Sequence, residues 1–224
     1  MSTVRFDLKP LLRAPPLKFR LIPVDKIPEN HVKTVDFPLY KSDVLSWSRK
    51  YNEDHQWWVE QEQNFNHLFR EQDQFGLSTL KDIVRWKFKE FPGRRMLILG
   101  MVVENEDSFI REITTSVFTS LETDLSKIKE LRRMYGVGLS LASVILTFFN
   151  PHEYGILDIH VWRELYGKEP KSLFQSDRNY LVLLSILRKA AKEYKLPVRT
   201  LEKALFKKNL DESSRAQKTR VCMN

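Results

Sequence analysis

Leu131-Arg-Arg-Met-Tyr-Gly136-Val137-Gly138-Leu139-Ser140-Leu-Ala142-Ser-Val-Ile-Leu146 decides the fold, read with Tyr154-Gly-Ile-Leu-Asp158-Ile-His160-Val-Trp162 just beyond it. Upstream, Thr123 or Asp124 can cap a helix that puts Leu125, Ile128 and Leu131 on one face. Downstream, Ala142, Ile145, Leu146 and Phe149 give a second helix its inward side, and Asn150-Pro151 stops it. Between the two helices, Gly136 and Gly138 flank a single apolar residue. Glycine there permits positive φ and close backbone approach, and Val137 can plug the core between the helices. The first amides of the second helix then face outward at its positive dipole end. Such an end suits a phosphate of a nucleic-acid backbone, directly or through a bridging monovalent cation. The competing interpretation is an ordinary helix–turn–helix connection with glycines as caps.

Residues 152–157 read as a short non-helical passage to Asp158, which lies 20 residues after Gly138 and precedes a helix over Ile159–Tyr166. An aspartate there is a helix N-cap, a catalytic carboxylate, or both, since helix amides would fix the carboxylate and favour its ionised form.

Further out, residues 1–40 hold six of the ten prolines, which forbids a long helix and predicts an extended arm. Ser42 or Asp43 caps a short helix with Val44, Leu45 and Trp47. A second pattern covers Glu53–Glu71 with Trp57, Trp58, Phe65, Leu68 and Phe69 on its apolar side. Ser78 opens another helix that ends at Pro92-Gly93. Met96–Val103 reads as a short helix or irregular core segment, and Glu104–Leu121 as a helix with Phe109, Ile113, Val117 and Phe118 inward. Helices over Asp177–Lys195 and Pro197–Lys207 follow, and residues 208–224 read as a polar, basic, disordered tail. The domain is therefore expected over residues 41–207, all-α, with the hairpin at 124–150 and the aspartate loop at 151–166.

Composition limits the chemistry. Only one cysteine, Cys222, is present, so a four-cysteine iron–sulfur cluster and a multi-cysteine zinc site are excluded. The five histidines show no zinc-helix spacing, and no protein metal site is expected. No long uncharged apolar run exists and Met1–Pro10 has no secretory apolar core, so an intracellular protein that does not enter membranes is expected; a monomer is also expected. The net charge is +8, and residues 165–224, with 14 basic and six acidic side chains, account for all of it. A polyanionic partner suits such an end; a solvated helix face is the equal alternative.

The hairpin and the Tyr154–Trp162 run resemble those of the helix-hairpin-helix base-excision DNA glycosylases (the HhH-GPD superfamily). In Asp158, His160 and Trp162 the pattern is nearest to the 8-oxoguanine branch. The detailed likeness covers about 35 residues. It implies a two-lobed helical fold, double-stranded DNA with a lesion as partner, and hydrolysis of an N-glycosidic bond. It also implies a DNA-contacting role for Gly136, Val137, Gly138, Ser140 and His160, and Asp158 as the catalytic carboxylate. Bifunctional members carry a lysine two residues after the second hairpin glycine, where this chain has Ser140, so the resemblance implies a monofunctional enzyme using water. Such an enzyme extrudes its base into an aromatic pocket. Adjacent Trp57 and Trp58 cannot both face one core, which makes one of them a pocket candidate. Lys81, Arg85, Lys87, Lys89, Arg94 and Arg95 form a basic run suited to phosphates or to solvent. The alternative function is a non-catalytic helix-hairpin-helix DNA-binding module.

Overall fold

The computed structural model describes residues 35–222, with side chains described for 35–216. The expected arm over residues 1–40 lies outside the described residues except for 35–40, which have no regular structure. Ten α-helices follow: α1 (Lys41–Asp54), α2 (Gln56–Glu71), α3 (Leu77–Lys87), α4 (Pro92–Val102), α5 (Asp107–Thr115), α6 (Asp124–Leu131), α7 (Leu139–Phe149), α8 (Ile159–Tyr166), α9 (Asp177–Tyr194) and α10 (Val198–Cys222). Among the described residues there is no strand, so the chain is all-α there. The described residues fall within one compact unit.

The centre is α7, whose residues from Leu139 to Phe148 are buried with the exception of half-buried Ser140. A helix apolar all round has to be surrounded, and α2, α3, α6 and α9 pack on it. Phe65 of α2 stacks on Phe148 at 4.9 Å, and Trp86 of α3 meets the same ring edge-on at 4.8 Å. Aromatic pairs in these geometries add about 0.5–1.5 kcal/mol each beyond area burial.

Several boundaries differ from expectation for identifiable reasons. Tyr40, not Ser42 or Asp43, is the N-cap of α1, which leaves Asp43 in the first turn near the positive helix end. Pro92 starts α4 at its first position rather than merely ending α3. Met96 and Leu97 are exposed, so the apolar run of α4 is a surface helix and not a core segment. The helix expected over Glu104–Leu121 is α5 followed by a π turn over Ser116–Ser120, with Ile110, Ile113 and Val117 buried and Phe109 only half-buried.

The expected disordered tail is the largest correction. α10 does not stop at Lys207 but continues to Cys222. Polar residues here serve helix pairing: Lys207 bonds Asp211 at 2.6 Å and Lys208 bonds Glu212 at 2.9 Å, both four residues on. The same lysines reach other elements, Lys207 to Asp54 of α1 and Lys208 to Glu164 of α8. Much of the basic charge at this end is therefore spent on internal acids, so the excess there does not form an uninterrupted basic face.

Candidate active site

The hairpin needs its glycine at Gly136, whereas Gly138 has φ −83° and open space beside it, and the turn has one partner the motif does not name. Gly136 has φ +85°, and a Cβ there would lie 2.9 Å from Met101 Cβ and from Val102 Cγ1. Left-handed backbone strains a side-chain-bearing residue by about 1–2 kcal/mol even without such contacts. Gly136→Ala is expected to lower stability by at least that much, read as a shift in the denaturation midpoint. Val137 is buried as the plug between the helices. Buried Asn105, 30 residues upstream, clasps the turn: its Oδ1 accepts from the Tyr135 amide at 2.8 Å and its Nδ2 donates to the Tyr135 carbonyl at 2.9 Å. Gly138 is the N-cap of α7, with no side-chain cap bond and nothing within 4 Å of where a Cβ would stand. Gly138→Ala should therefore change stability by less than about 1 kcal/mol, and should weaken duplex binding if the α7 amides hold a phosphate as the resemblance implies. Unchanged duplex affinity in a gel-shift titration would count against a backbone clamp.

From the hairpin, two serines tie the aspartate loop to α7. Ser140 Oγ donates to the Leu157 carbonyl at 3.2 Å. Ser143 Oγ accepts from the Leu157 amide at 2.9 Å and donates to the Ser140 carbonyl at 2.7 Å. The residue before Asp158 is thus pinned through both backbone groups. Ser140, expected at DNA, is occupied in holding this loop, and Ser143 goes unsignalled in sequence because serines within helices are common. Ser143→Ala leaves the buried Leu157 amide without its acceptor and should cost about 1–3 kcal/mol in a denaturant titration.

Asp158 is both a cap and a site residue. Its Oδ1 accepts from the His160 amide at 3.0 Å, making it the N-cap of α8, and its Oδ2 lies 3.1 Å from Lys87 Nζ. Burial pushes the carboxyl upwards, but the Lys87 ammonium and the His160 amide outweigh it and hold Asp158 below the usual carboxylate range. It is ionised at neutral pH.

Asp158, Lys87 and Ser140 line one cavity of about 350 Å³. Its walls include Tyr51 and His55 of the α1–α2 corner, Trp58 of α2, Trp86 and Phe88 at the end of α3, and Phe206 of α10. Trp58 and Trp86 brace each other, each indole donating to the other's carbonyl at 3.3 and 2.9 Å. His55 stands among the rings of Tyr51, Trp58 and Phe206, and its Nε2 is buried without a hydrogen-bond partner. Burial holds this imidazole below its ordinary value, so it is neutral at pH 7.

Of the two adjacent tryptophans, Trp58 lines this cavity; Trp57 lines a separate groove against α3 and does not. The Lys89 ammonium sits 3.8 Å from the Trp57 ring centre. His160 also lines the cavity, its Nδ1 3.0 Å from Asn209 Oδ1 and its ring edge-on to Phe206. It is a half-buried residue held by α10. Trp162 is core. In the basic run, Arg85 pairs with Asp82 and Arg94 lies over Phe88, while Lys87 turns into the cavity.

One wall of the cavity belongs to a charge cluster that sequence gives no means of finding, with Tyr51, Arg199 and Glu202 lining the cavity. Arg199 of α10, buried, bonds Glu62 of α2 at 2.9 Å through two nitrogens, and also bonds Glu202 and the Tyr51 hydroxyl. Burial pushes the neighbouring Lys203 ammonium down to about 8, although Glu62 lies 3.3 Å away.

Among the described residues, no group of three or more His, Cys, Asp or Glu side chains is placed to hold a metal ion, and no helix is long and apolar enough to cross a membrane. Comparisons with protein-family models, with characterised proteins and with solved structures find no match to this chain.

Proposed function

We propose that the protein is a DNA glycosylase of the helix-hairpin-helix kind, cleaving the N-glycosidic bond of a damaged or mispaired base in double-stranded DNA. The observation that carries this is the placement of an ionised carboxylate in an aromatic cavity next to a glycine hairpin. Asp158 and the start of α7 are joined through Leu157, so a strand gripped at the hairpin amides has a nucleotide within reach of the cavity. Cavities that hold small organic ligands start at about 300 Å³, so one extruded base is an appropriate occupant.

Asp158 acts where positive charge develops. As the bond between C1′ and the base nitrogen breaks, its electrons leave with the base and the sugar takes on oxocarbenium character, which the carboxylate stabilises. Water attacks C1′, with Asp158 orienting it, and the product is an abasic sugar. The unpartnered Nε2 of His55, among aromatic walls, is suited to reading a polar edge of the base.

A panel of duplexes, each with one lesion or mismatch, tests the proposal. After incubation, alkali converts abasic sites to breaks. One class of base should yield breaks that need the protein, and binding should weaken linearly with the logarithm of salt concentration. Duplex binding without breaks on any member would leave only a non-catalytic binding module.

A further inference from the structure

α4 turns to solvent the side chains that a surface helix ordinarily turns inward. Of its 11 residues only Val102 is buried, and its exposed stripe is Gly93, Met96, Leu97 and Gly100, continued by Val103 and Glu104 just past its end. These positions fall three or four apart, so they share one face. Met96 is 72% exposed, Leu97 62% and Val103 45%. Apolar residues scattered singly on a surface need no explanation, but a contiguous row of them marks a contact face.

Charges of opposite sign stand at the two ends of this row. Arg94 and Arg95 lie in the first turn of α4, and exposed Glu104 and Glu106 follow its last. Arginine is unfavourable at the positive end of a helix, and no acidic residue in that turn offsets it. Arg94 lies over the Phe88 ring, and among the described residues Arg94, Glu104 and Glu106 have no ion-pair partner. Gly100 is equally unexplained within its own chain. Glycine inside a helix costs stability relative to alanine, yet nothing lies within 4 Å of where its Cβ would stand. What glycine does allow is the close approach of a second helix.

We infer that α4 is the interface of a homodimer, in which the helices of two copies pack antiparallel about a two-fold axis passing by Gly100. In that register each residue before Gly100 lies level with the residue equally far after it in the second copy. Leu97 then meets Val103 of the second copy, Met96 meets the stem of Glu104, and Arg94 lies level with Glu106. The two-fold axis makes each contact twice. Parallel packing would set like charges together, whereas antiparallel packing sets cations against carboxylates at both ends. A polyanion on the same row would meet carboxylates at one end, so a second copy is the occupant that suits the whole face. The pairing does not depend on the proposed function. It departs from the monomer expected from sequence, where the apolar run of α4 reads as part of a core.

Sedimentation equilibrium of the full chain tests the pairing. The average mass should rise from that of one chain towards that of two between about 1 and 100 μM, the weak range that suits a small interface. Leu97→Glu alters an exposed side chain, so at the lowest concentration it should melt as the unmodified chain does. It should nevertheless weaken association at least about tenfold, by placing an unpaired charge in the interface. Arg94→Glu and Glu106→Arg should each weaken association roughly threefold to tenfold, and the two combined in one chain should restore it. At the axis, Gly100→Cys in a Cys222→Ser background should give a disulfide-linked dimer when oxidised with diamide. Ser185→Cys, exposed on α9, should not. A chain that stays monomeric at every concentration overturns the inference. So does a dimer that Leu97→Glu leaves intact, or one that the double charge exchange fails to restore. A monomer whose duplex binding weakens in Leu97→Glu gives the face to DNA instead. No DNA enters the sedimentation experiment, so its outcome is separate from that of the lesion panel.

Discussion

On the proposed function, Asp158→Asn is expected to abolish base excision while the chain continues to fold and to bind duplex DNA. The amide keeps an oxygen for the His160 amide, so the cap on α8 survives the change. What disappears is the negative charge facing the cavity. Groups that act on charge or protons in a transition state contribute about 10²–10⁴ in rate, and the proposed function has Asp158 serve in both senses. The expected loss is therefore on the order of 10³ or more, read as single-turnover excision on whichever duplex the panel identifies. Retained excision would remove Asp158 from its assigned role. The pH profile should have a matching signature. Asp158 titrates below the usual carboxylate range, so excision should hold steady as pH falls through about 5 and decline only when the carboxylate itself takes up a proton. A decline already complete at pH 6 would point to a different group.

Arg199→Met produces the largest loss of stability, and it does so by what it leaves behind. Glu62 and Glu202 are both buried against the guanidinium, and methionine fills similar volume without a charge. Lys203 remains 3.3 Å from Glu62, but nothing of that kind remains for Glu202. Removing one partner from a buried ionic group costs about 3–5 kcal/mol, which for a chain of this size corresponds to a fall in Tm on the order of 10 °C. Replacing Glu62, Arg199 and Glu202 together by apolar residues should recover most of that loss, since the penalty lies in the unpaired charges. Acid acts on the same cluster. Burial alone would raise the Glu62 carboxyl, yet Arg199 and Lys203 hold it below the ordinary value. Its contribution is present in full above the unfolded-state value of about 4.3 and is lost as pH falls through the lower folded one, so Tm should drop between about pH 5 and pH 3. In Arg199→Met this acid sensitivity should be smaller.

The hairpin is legible in sequence because backbone geometry restricts it to few residue types. Gly136 sits at positive φ against Met101 and Val102, and no other residue fits there. Asp158 is legible through its spacing and its place before a helix, and the structure finds it capping that helix while lining the cavity. Lys87 is not legible as a site residue. In sequence it is one cation in a basic run of six that begins on an amphipathic helix, and only the packing of α3 against α7 distinguishes it from Arg85. Asn105 and Ser143 escape notice for a related reason, since their partners are backbone groups that a linear pattern does not mark. The length of α10 is missed because polar composition describes both a loose tail and a helix whose polar faces are paired. The acids that settle the matter, Asp54 and Glu164, lie far away in the chain.

The contact of α1 with α10 also sets an order of assembly. Tyr51 and Arg199 meet over 148 residues of chain, whereas the bonds from Ser140 and Ser143 to Leu157 span only 17 and 14. Closing a short loop forfeits less chain entropy and happens sooner, so the hairpin and the aspartate loop should be in place while one wall of the cavity is still missing. The Asp158 carboxylate should then form in the open and be enclosed afterwards. Mutations in the Ser143 region should slow folding, and mutations at the α1–α10 seam should chiefly speed unfolding. A partly folded chain of this kind would present the carboxylate before the cavity around it was complete.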